Sequence, residues 1–165
     1  MRFELEWERL KIFIRMLSVR HPQVSVNGLS FLDLRTDRFL DHDQLAEVLK
    51  EALVHVTAAK GGFGELVTSH LRQVVAVDLP SENVSALARS YYTTFPARDR
   101  RSTFWLACKL VWAATFIRIM RNQPWWRRAA ARKGARASAR EAQLRFVRQF
   151  PDSQRWEDYI SRHPN

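Results

Sequence analysis

Apolar side chains recur every three or four residues along most of the chain, a spacing that is typical of amphipathic helices. Pro22, Pro96 and Pro124 interrupt this pattern, because proline lacks the amide hydrogen that a helix interior needs. We therefore predict an all-α fold, a bundle of about six helices. The predicted helical segments are residues 3–19, 42–60, 64–77, 81–95, 103–121 and 125–149, and a short last helix that begins near Ser153.

One segment departs from helical spacing and predicts a small β-hairpin near residues 24–31. Two short alternating runs flank Asn27 and Gly28 there. This pair accepts the positive φ angles of a tight type I′ turn, so it favours two antiparallel strands. Two strands alone are marginally stable, and we expect the hairpin to pack on helices.

The segment at residues 103–121 is apolar nearly all round, which is typical of a helix at the centre of a bundle or in a membrane. Residues 103–120 are at the short end of the length needed to span a bilayer. Lys109 lies near the middle and would cost about 3 kcal/mol there. We predict a buried core helix rather than a transmembrane span.

Charge divides the chain into two unlike parts. The net charge is +10, and residues 98–165 carry 16 basic and 5 acidic side chains, whereas residues 1–97 are nearly neutral. We predict a helical core domain at residues 1–123 and a basic helical extension at residues 124–165, packed on the core or projecting from it. Such asymmetry points to nucleic acid or an anionic membrane surface. Arginine supplies 22 of the 27 basic residues, a bias that a GC-rich genome also produces.

The basic segment carries the main functional signal. Arg128, Arg132, Arg136 and Arg140 recur every fourth residue and form a slowly winding stripe on one side of the predicted helix. Guanidinium groups in such a row can contact successive phosphates. An anionic membrane, an acidic protein and a merely solvated basic face remain alternatives. The predicted nucleic-acid-binding residues are Trp125, Trp126, Arg127, Arg128, Arg132, Lys133, Arg136, Arg140, Arg145 and Arg148.

Aromatic residues lie beside these cations. Trp125 and Trp126 directly precede Arg127, and aromatic rings next to cations are typical of surfaces on which single-stranded bases stack. On the preceding helix, Trp105, Trp112 and Phe116 share a stripe with Lys109. That stripe is either a second stacking platform or, as we favour, part of the core.

Evidence for catalysis is weak. The five histidines show no metal-ligand spacing, and we expect His70 to be a core or boundary residue. Glu51 and His55 lie one helical turn apart, which a surface contact explains as well as proton transfer does. The glycine cluster at residues 60–64 is a helix-ending turn or, less well supported, an anion cradle. Cys108 is interpreted as a small buried side chain.

We therefore predict a non-catalytic nucleic-acid-binding protein, with RNA or single strands favoured, that needs no metal or cofactor. One alternative is a helical interaction module with an apolar groove between residues 42–60 and 103–121, and another is a peripheral protein of anionic membranes. A homo-oligomer is possible in either case. The acidic N-terminal residues predict no signal peptide, so we expect an intracellular location, cytoplasmic or nuclear.

Overall fold

The computed structural model of the protein describes residues 23–35, 42–77, 83–94 and 100–162, and within these ranges it contains a five-stranded sheet and five α-helices. The predicted helix at residues 3–19 lies outside them. In chain order the elements are β1 (Gln23–Val26), β2 (Leu29–Asp33), α1 (His42–Ala58), α2 (Phe63–His70), β3 (Gln73–Ala76), β4 (Asn83–Ser85), β5 (Ser90–Thr93), α3 (Arg100–Arg121), a 3₁₀ turn (Trp125–Arg127), α4 (Arg128–Val147) and α5 (Ser153–Arg162).

The predicted all-α fold is wrong, because the chain forms a mixed sheet as well as helices. The strands lie in the order β1-β2-β3-β5-β4. The central pairs β2–β3 and β3–β5 are parallel, and the two outer pairs are antiparallel. The architecture is therefore an α/β mixture, with the helices α1, α3 and α4 sharing a core with one sheet face.

The hairpin predicted near residues 24–31 is confirmed as β1 and β2. Val26 pairs with Leu29 across a two-residue turn. Asn27 and Gly28 both have positive φ, at 48° and 83°, as a type I′ turn requires. The hairpin is not isolated, since β2 continues the sheet by pairing in parallel with β3.

The predicted third helix is wrong beyond His70, where the chain extends and enters β3. Both sheet faces are buried: Val74 and Ala76 contact the helical core, whereas Val75 and Val77 belong to a smaller apolar cluster on the other face. A strand that is buried on both faces has apolar residues at successive positions and loses its alternation. The apolar residues of β3 therefore also fitted the spacing of the predicted third helix.

The predicted fourth helix is wrong throughout its described part, which is the β4–β5 hairpin. The turn at residues 86–89 contains Leu87, whose side chain is 85% exposed. Arg89 closes the turn with a φ of 55°. Residues 86–89 include no Gly, Pro, Asn, Asp or Ser, which are the residues that favour turns, so the sequence did not indicate a turn here.

The other predicted helices within the described residues are confirmed as α1, α3, α4 and α5, and α4 continues through Gly134 without a break. Residues Thr103–Arg121 are long and apolar enough to cross a membrane, but 83% of the apolar window is buried inside the fold. Helix α3 thus has the burial of a core helix in a soluble protein, which agrees with the prediction.

Gln143 is a polar residue in the core of α4, and its side chain is fully buried. Among the described residues, neither its amide nitrogen nor its amide oxygen finds a hydrogen-bond partner. A buried unpaired polar group costs about 1–3 kcal/mol. We expect Gln143→Leu to raise the free energy of unfolding by about 1–2 kcal/mol in urea titrations.

A matched control is Gln149→Leu, because both polar atoms of the Gln149 side-chain amide form hydrogen bonds. Its oxygen accepts from the Lys60 amide at 2.6 Å, and its nitrogen donates to the Lys60 carbonyl at 2.9 Å. This second substitution should lower stability. A loss of stability in Gln143→Leu would contradict the assignment of an unpaired amide.

Candidate nucleic-acid interface

Helix α4 is docked on the core and packs most extensively against α3. Its inner face consists of small residues, Ala135, Ala139 and Ala142, all buried. Small side chains at a contact let two helix axes approach closely. Phe146 and Val147 anchor the far end in the same core as the sheet and α1. The docking fixes which side of the basic helix faces solvent.

The outer face of α4 and the turn before it carry most of the predicted phosphate-binding side chains. Arg127, Arg132, Lys133, Arg136 and Arg145 are exposed. We refer to Arg132, Lys133 and Arg136 as the α4 basic face. The helix backbone that presents these three cations is held by the core.

The side chains of the remaining predicted arginines have polar partners within the protein. Arg128 and Arg140 are half-buried, and their guanidinium groups reach the backbone oxygens of Gln123 and Ser161. Arg148 is exposed but forms an ion pair with Glu157 at 3.0 Å, and this partner raises the pKa of the guanidinium. We therefore assign Arg148 a weaker part in phosphate contact than the sequence suggested.

Trp125 and Trp126 lie in the 3₁₀ turn between α3 and α4, and we call them the tryptophan pair. Their side chains are 76% and 65% exposed. The ring centroids are 5.9 Å apart and the ring planes are nearly perpendicular, at 88°. In this edge-to-face contact the edge of one ring meets the face of the other, and both side chains remain mostly exposed to solvent.

The aromatic stripe on α3 belongs to the core, as favoured from the sequence. Trp112 and Phe116 are buried and stack on each other with centroids 5.4 Å apart. Lys109 is buried too, and its ammonium lies 4.6 Å from the centroid of the Trp105 ring. Trp112 and Phe116 are therefore not available as a stacking platform, and Trp105 is half-buried against Trp156 and Tyr159. Among the described aromatic residues, Trp125 and Trp126 are the most exposed.

His55 is half-buried rather than at the surface, and its ring packs edge-on against Phe104 with centroids 5.4 Å apart. Burial lowers the pKa of His55, and the Glu51 carboxylate opposes that shift only in part. The folded protein thus binds this proton more weakly than the unfolded chain does. The stabilisation is complete above the unfolded pKa near 6.5 and decreases as the pH falls below it.

We expect the unfolding midpoint in urea to be lower at pH 5.5 than at pH 7.5, with His55 contributing. His55→Phe should reduce that difference, because it replaces the titrating ring with one of similar shape. The pKa of His70 is also lowered, so part of the pH dependence should remain in the variant. If the midpoints at the two pH values differ as much in His55→Phe as in the wild type, His55 does not contribute to the pH dependence.

The glycine cluster at residues 60–64 is a tight turn between α1 and α2. Gly61 and Gly62 have φ angles of 93° and 76°, and Gln149 binds both backbone groups of Lys60. At Gly64 an added Cβ would lie 3.3 Å from the Thr57 side chain. The interpretation as a helix-ending turn is therefore the one that the geometry supports.

A second group of cations was missed by the sequence analysis. Arg72, Arg89, Arg118 and Arg121 come from three separate parts of the chain, and we call them the arginine cluster. Burial lowers the pKa of the nearby His70, and the charges of Arg118, Arg89 and Arg121 lower it further. No local pattern links these residues, so only the fold reveals that they are neighbours.

The surroundings of Asp33 and Cys108 limit the reactivity of both side chains. Asp33 ends the parallel strand β2, but Arg35 occupies its carboxylate with two side-chain hydrogen bonds of 3.0 Å. Burial raises the pKa of the Cys108 thiol well above its ordinary value, so the reactive thiolate is disfavoured. Among the described residues, no three His, Cys, Asp or Glu side chains are placed to share a metal ion.

Comparison of the chain with protein-family models, with curated proteins and with solved structures finds no match.

Proposed function

We propose that this protein binds single-stranded nucleic acid, with RNA favoured, and that it does so without catalysis. The observation that carries the proposal is the exposure of the tryptophan pair directly beside a row of outward-facing cations on a docked helix. Arg132, Lys133 and Arg136 supply the charge, and Trp125 and Trp126 supply the rings.

Charge is the first element of the proposed binding. Each phosphate that an arginine or lysine neutralises releases condensed counterions, so binding weakens as salt rises. Because α4 is docked, the backbone that presents its cations is already ordered, and only their side chains lose freedom when the ligand binds. Contacts of this kind position the nucleic acid without distinguishing its sequence.

Stacking is the second element, and it favours single strands over duplexes. A base in a duplex is already stacked on its neighbours, whereas an unpaired base has a free face. The perpendicular rings of Trp125 and Trp126 present two separate surfaces on which such bases can stack. Stacking on an aromatic ring contributes about 1–3 kcal/mol per base.

The second candidate function is binding to an anionic membrane surface, which the exposure of Leu87 favours. Trp, Leu and Arg side chains together are typical of proteins that insert shallowly into the interface. Leu87 lies two residues before Arg89, whose charge interacts with that of Arg121 near the tryptophan pair. The groove hypothesis has less support, because the apolar faces of α1 and α3 are buried against each other in the described structure.

The proposal is tested with a fluorescein-labelled 20-nucleotide oligouridine and a duplex DNA of equal length, each titrated by anisotropy over a series of salt concentrations. The proteins are the wild type, Arg132→Gln/Arg136→Gln, and the control Lys60→Gln/Arg155→Gln. The control removes two exposed cations near the far end of α4 from the tryptophan pair. A parallel series uses vesicles with and without phosphatidylserine.

We expect the wild type to bind the single strand more tightly than the duplex. The Arg132→Gln/Arg136→Gln variant should reduce the slope of log K against log salt by about 1.4, and the affinity at 0.1 M salt by roughly 25-fold, if two phosphate contacts are lost. The control should match the wild type. Binding only to phosphatidylserine vesicles, or equal effects of the two variants, would reject the proposal.

A further inference from the structure

The arginine cluster brings four guanidinium groups to one end of the molecule. Arg72 lies between α2 and β3, Arg89 closes the β4–β5 turn, and Arg118 and Arg121 occupy the last turn of α3. Helix α2, which ends at His70, packs against α3. The cluster is thus assembled by the packing of separate elements, on the side of the protein where α3 ends.

Arg89 is the fixed centre of this arrangement. Its Nε donates to the His70 carbonyl at 2.9 Å, and its Nη2 donates to the Ser69 carbonyl, so the guanidinium caps the C-terminal end of α2. Its own carbonyl accepts from the Arg72 amide at 2.9 Å. Backbone and side-chain contacts therefore hold Arg89 and Arg72 in fixed relative positions.

The other three arginines of the cluster have side chains that face solvent. Arg72, Arg118 and Arg121 are exposed, and within the described ranges none of the three forms an ion pair with a carboxylate. The arginines of the cluster repel one another. Burial is the largest cause of the lowered pKa of Arg89, and the charges of Arg72 and Arg121 lower this pKa further. An anion bound among these groups would relieve the repulsion, and arginine suits phosphate because its planar fork donates two hydrogen bonds to two oxygens.

The cluster also lies close to the tryptophan pair. Three residues separate Arg121 from Trp125, so their Cα atoms are at most about 14 Å apart. The turn between them is compact, because the Asn122 and Gln123 amides donate to the carbonyls of Arg118 and Met120. Along the chain, the tryptophan pair therefore lies between Arg121 of the arginine cluster and the α4 basic face.

We propose that the arginine cluster binds backbone phosphates of the same single strand whose bases stack on the tryptophan pair. This inference rests on the proposed function and extends it. The strand runs from the α4 basic face, over Trp125 and Trp126, to Arg121, Arg118 and Arg72. The bound length is then set by the fold as a whole and exceeds what the basic helix alone would bind.

The test uses the labelled 20-nucleotide oligouridine with the full-length protein. Arg118→Gln/Arg121→Gln is compared with Arg132→Gln/Arg136→Gln and with the control Lys60→Gln/Arg155→Gln. We expect the Arg118→Gln/Arg121→Gln variant to lower the salt slope by about 1.4 and the affinity at 0.1 M salt by roughly 25-fold, as expected for two lost phosphate contacts. Both side chains are exposed, and circular dichroism checks that the fold is retained.

A second readout needs no substitution. The ring of His70 titrates beside Arg118, Arg89 and Arg121, and its pKa is lowered in the free protein. A phosphate held in the cluster offsets the charges of the arginines, so adding unlabelled oligouridine should raise the pKa of His70 in NMR titrations. Oligouridine that binds without moving this pKa would overturn the inference.

The outcomes separate the inference from the proposed function. If Arg118→Gln/Arg121→Gln behaves like the control while Arg132→Gln/Arg136→Gln binds weakly, the inference fails and the proposed function stands. If the wild type shows no salt-dependent binding of oligouridine, both fail. If in that case the wild type binds phosphatidylserine vesicles and Arg118→Gln/Arg121→Gln does not, the ligand of the cluster is a membrane surface.

Discussion

Phe146→Ala should reduce the free energy of unfolding by about 3–5 kcal/mol, the usual range for removing a fully buried phenyl ring. Phe146 has no exposed surface. Its ring contacts Phe63, Phe104 and Phe150, with centroid distances of 5.4, 5.8 and 5.1 Å. The substitution therefore removes the anchor that joins the end of α4 to α2 and α3. Urea titrations followed by circular dichroism measure the change.

Phe150→Ala is the matched control, because it removes the same ring from a half-buried position at the end of the same segment. Its effect should be clearly smaller. Equal and mild effects of the two substitutions would mean that the basic helix is not held by the core. The comparison thus measures directly how firmly the docking of α4 fixes the proposed binding surface.

The substitution Trp125→Ala/Trp126→Ala should weaken oligouridine binding by at least about 30-fold, since stacking contributes about 1–3 kcal/mol for each base. Stability should change little, because both rings are largely exposed and their main contact is with each other. The salt slope should also be retained, because no phosphate contact is removed. A loss of affinity at constant slope would separate stacking from charge.

Tyr159→Ala is the control for this pair, because Tyr159 is another partly exposed ring and lies on α5 rather than beside the α4 basic face. Its oligouridine affinity should equal that of the wild type. An unchanged affinity in the tryptophan variant would remove stacking from the proposed function. A lower slope as well as a lower affinity would indicate that the turn itself had shifted and displaced the neighbouring arginines.

Sequence patterns predicted the fold where a local signal was strong. The Asn27–Gly28 turn and the long apolar helix α3 were both found, because backbone preference and hydrophobic spacing agreed there. The sheet was missed because β3 is buried on both faces, so Val74 and Val75 show no alternation. A strand that is buried on both faces and one side of a helix can then show the same run of apolar residues. The pairing of β3 with distant strands is what distinguishes the two.

The sequence likewise predicted one part of the candidate site and not the other. The tryptophan pair and the α4 basic face lie in one continuous segment, so composition and spacing predicted them together. Arg89 and Arg118 are far apart in sequence, and both lie near His70 at the end of α2, which packs on α3. The sequence also could not reveal that Arg148 is paired with Glu157, since Arg148 follows the end of α4 and Glu157 lies on α5.

The parallel pairings of the sheet have a consequence for how the chain folds. Ser30 pairs with Gln73 and Gln73 with Ser90, so the central strands join segments that are distant in sequence. By contrast, α3 and α4 are joined by a short turn and form the most extensive contact between two elements. Local contacts form fast and non-local strand pairing forms slowly. We expect the α3–α4 hairpin, with its row of cations already facing outward, to assemble before the sheet closes.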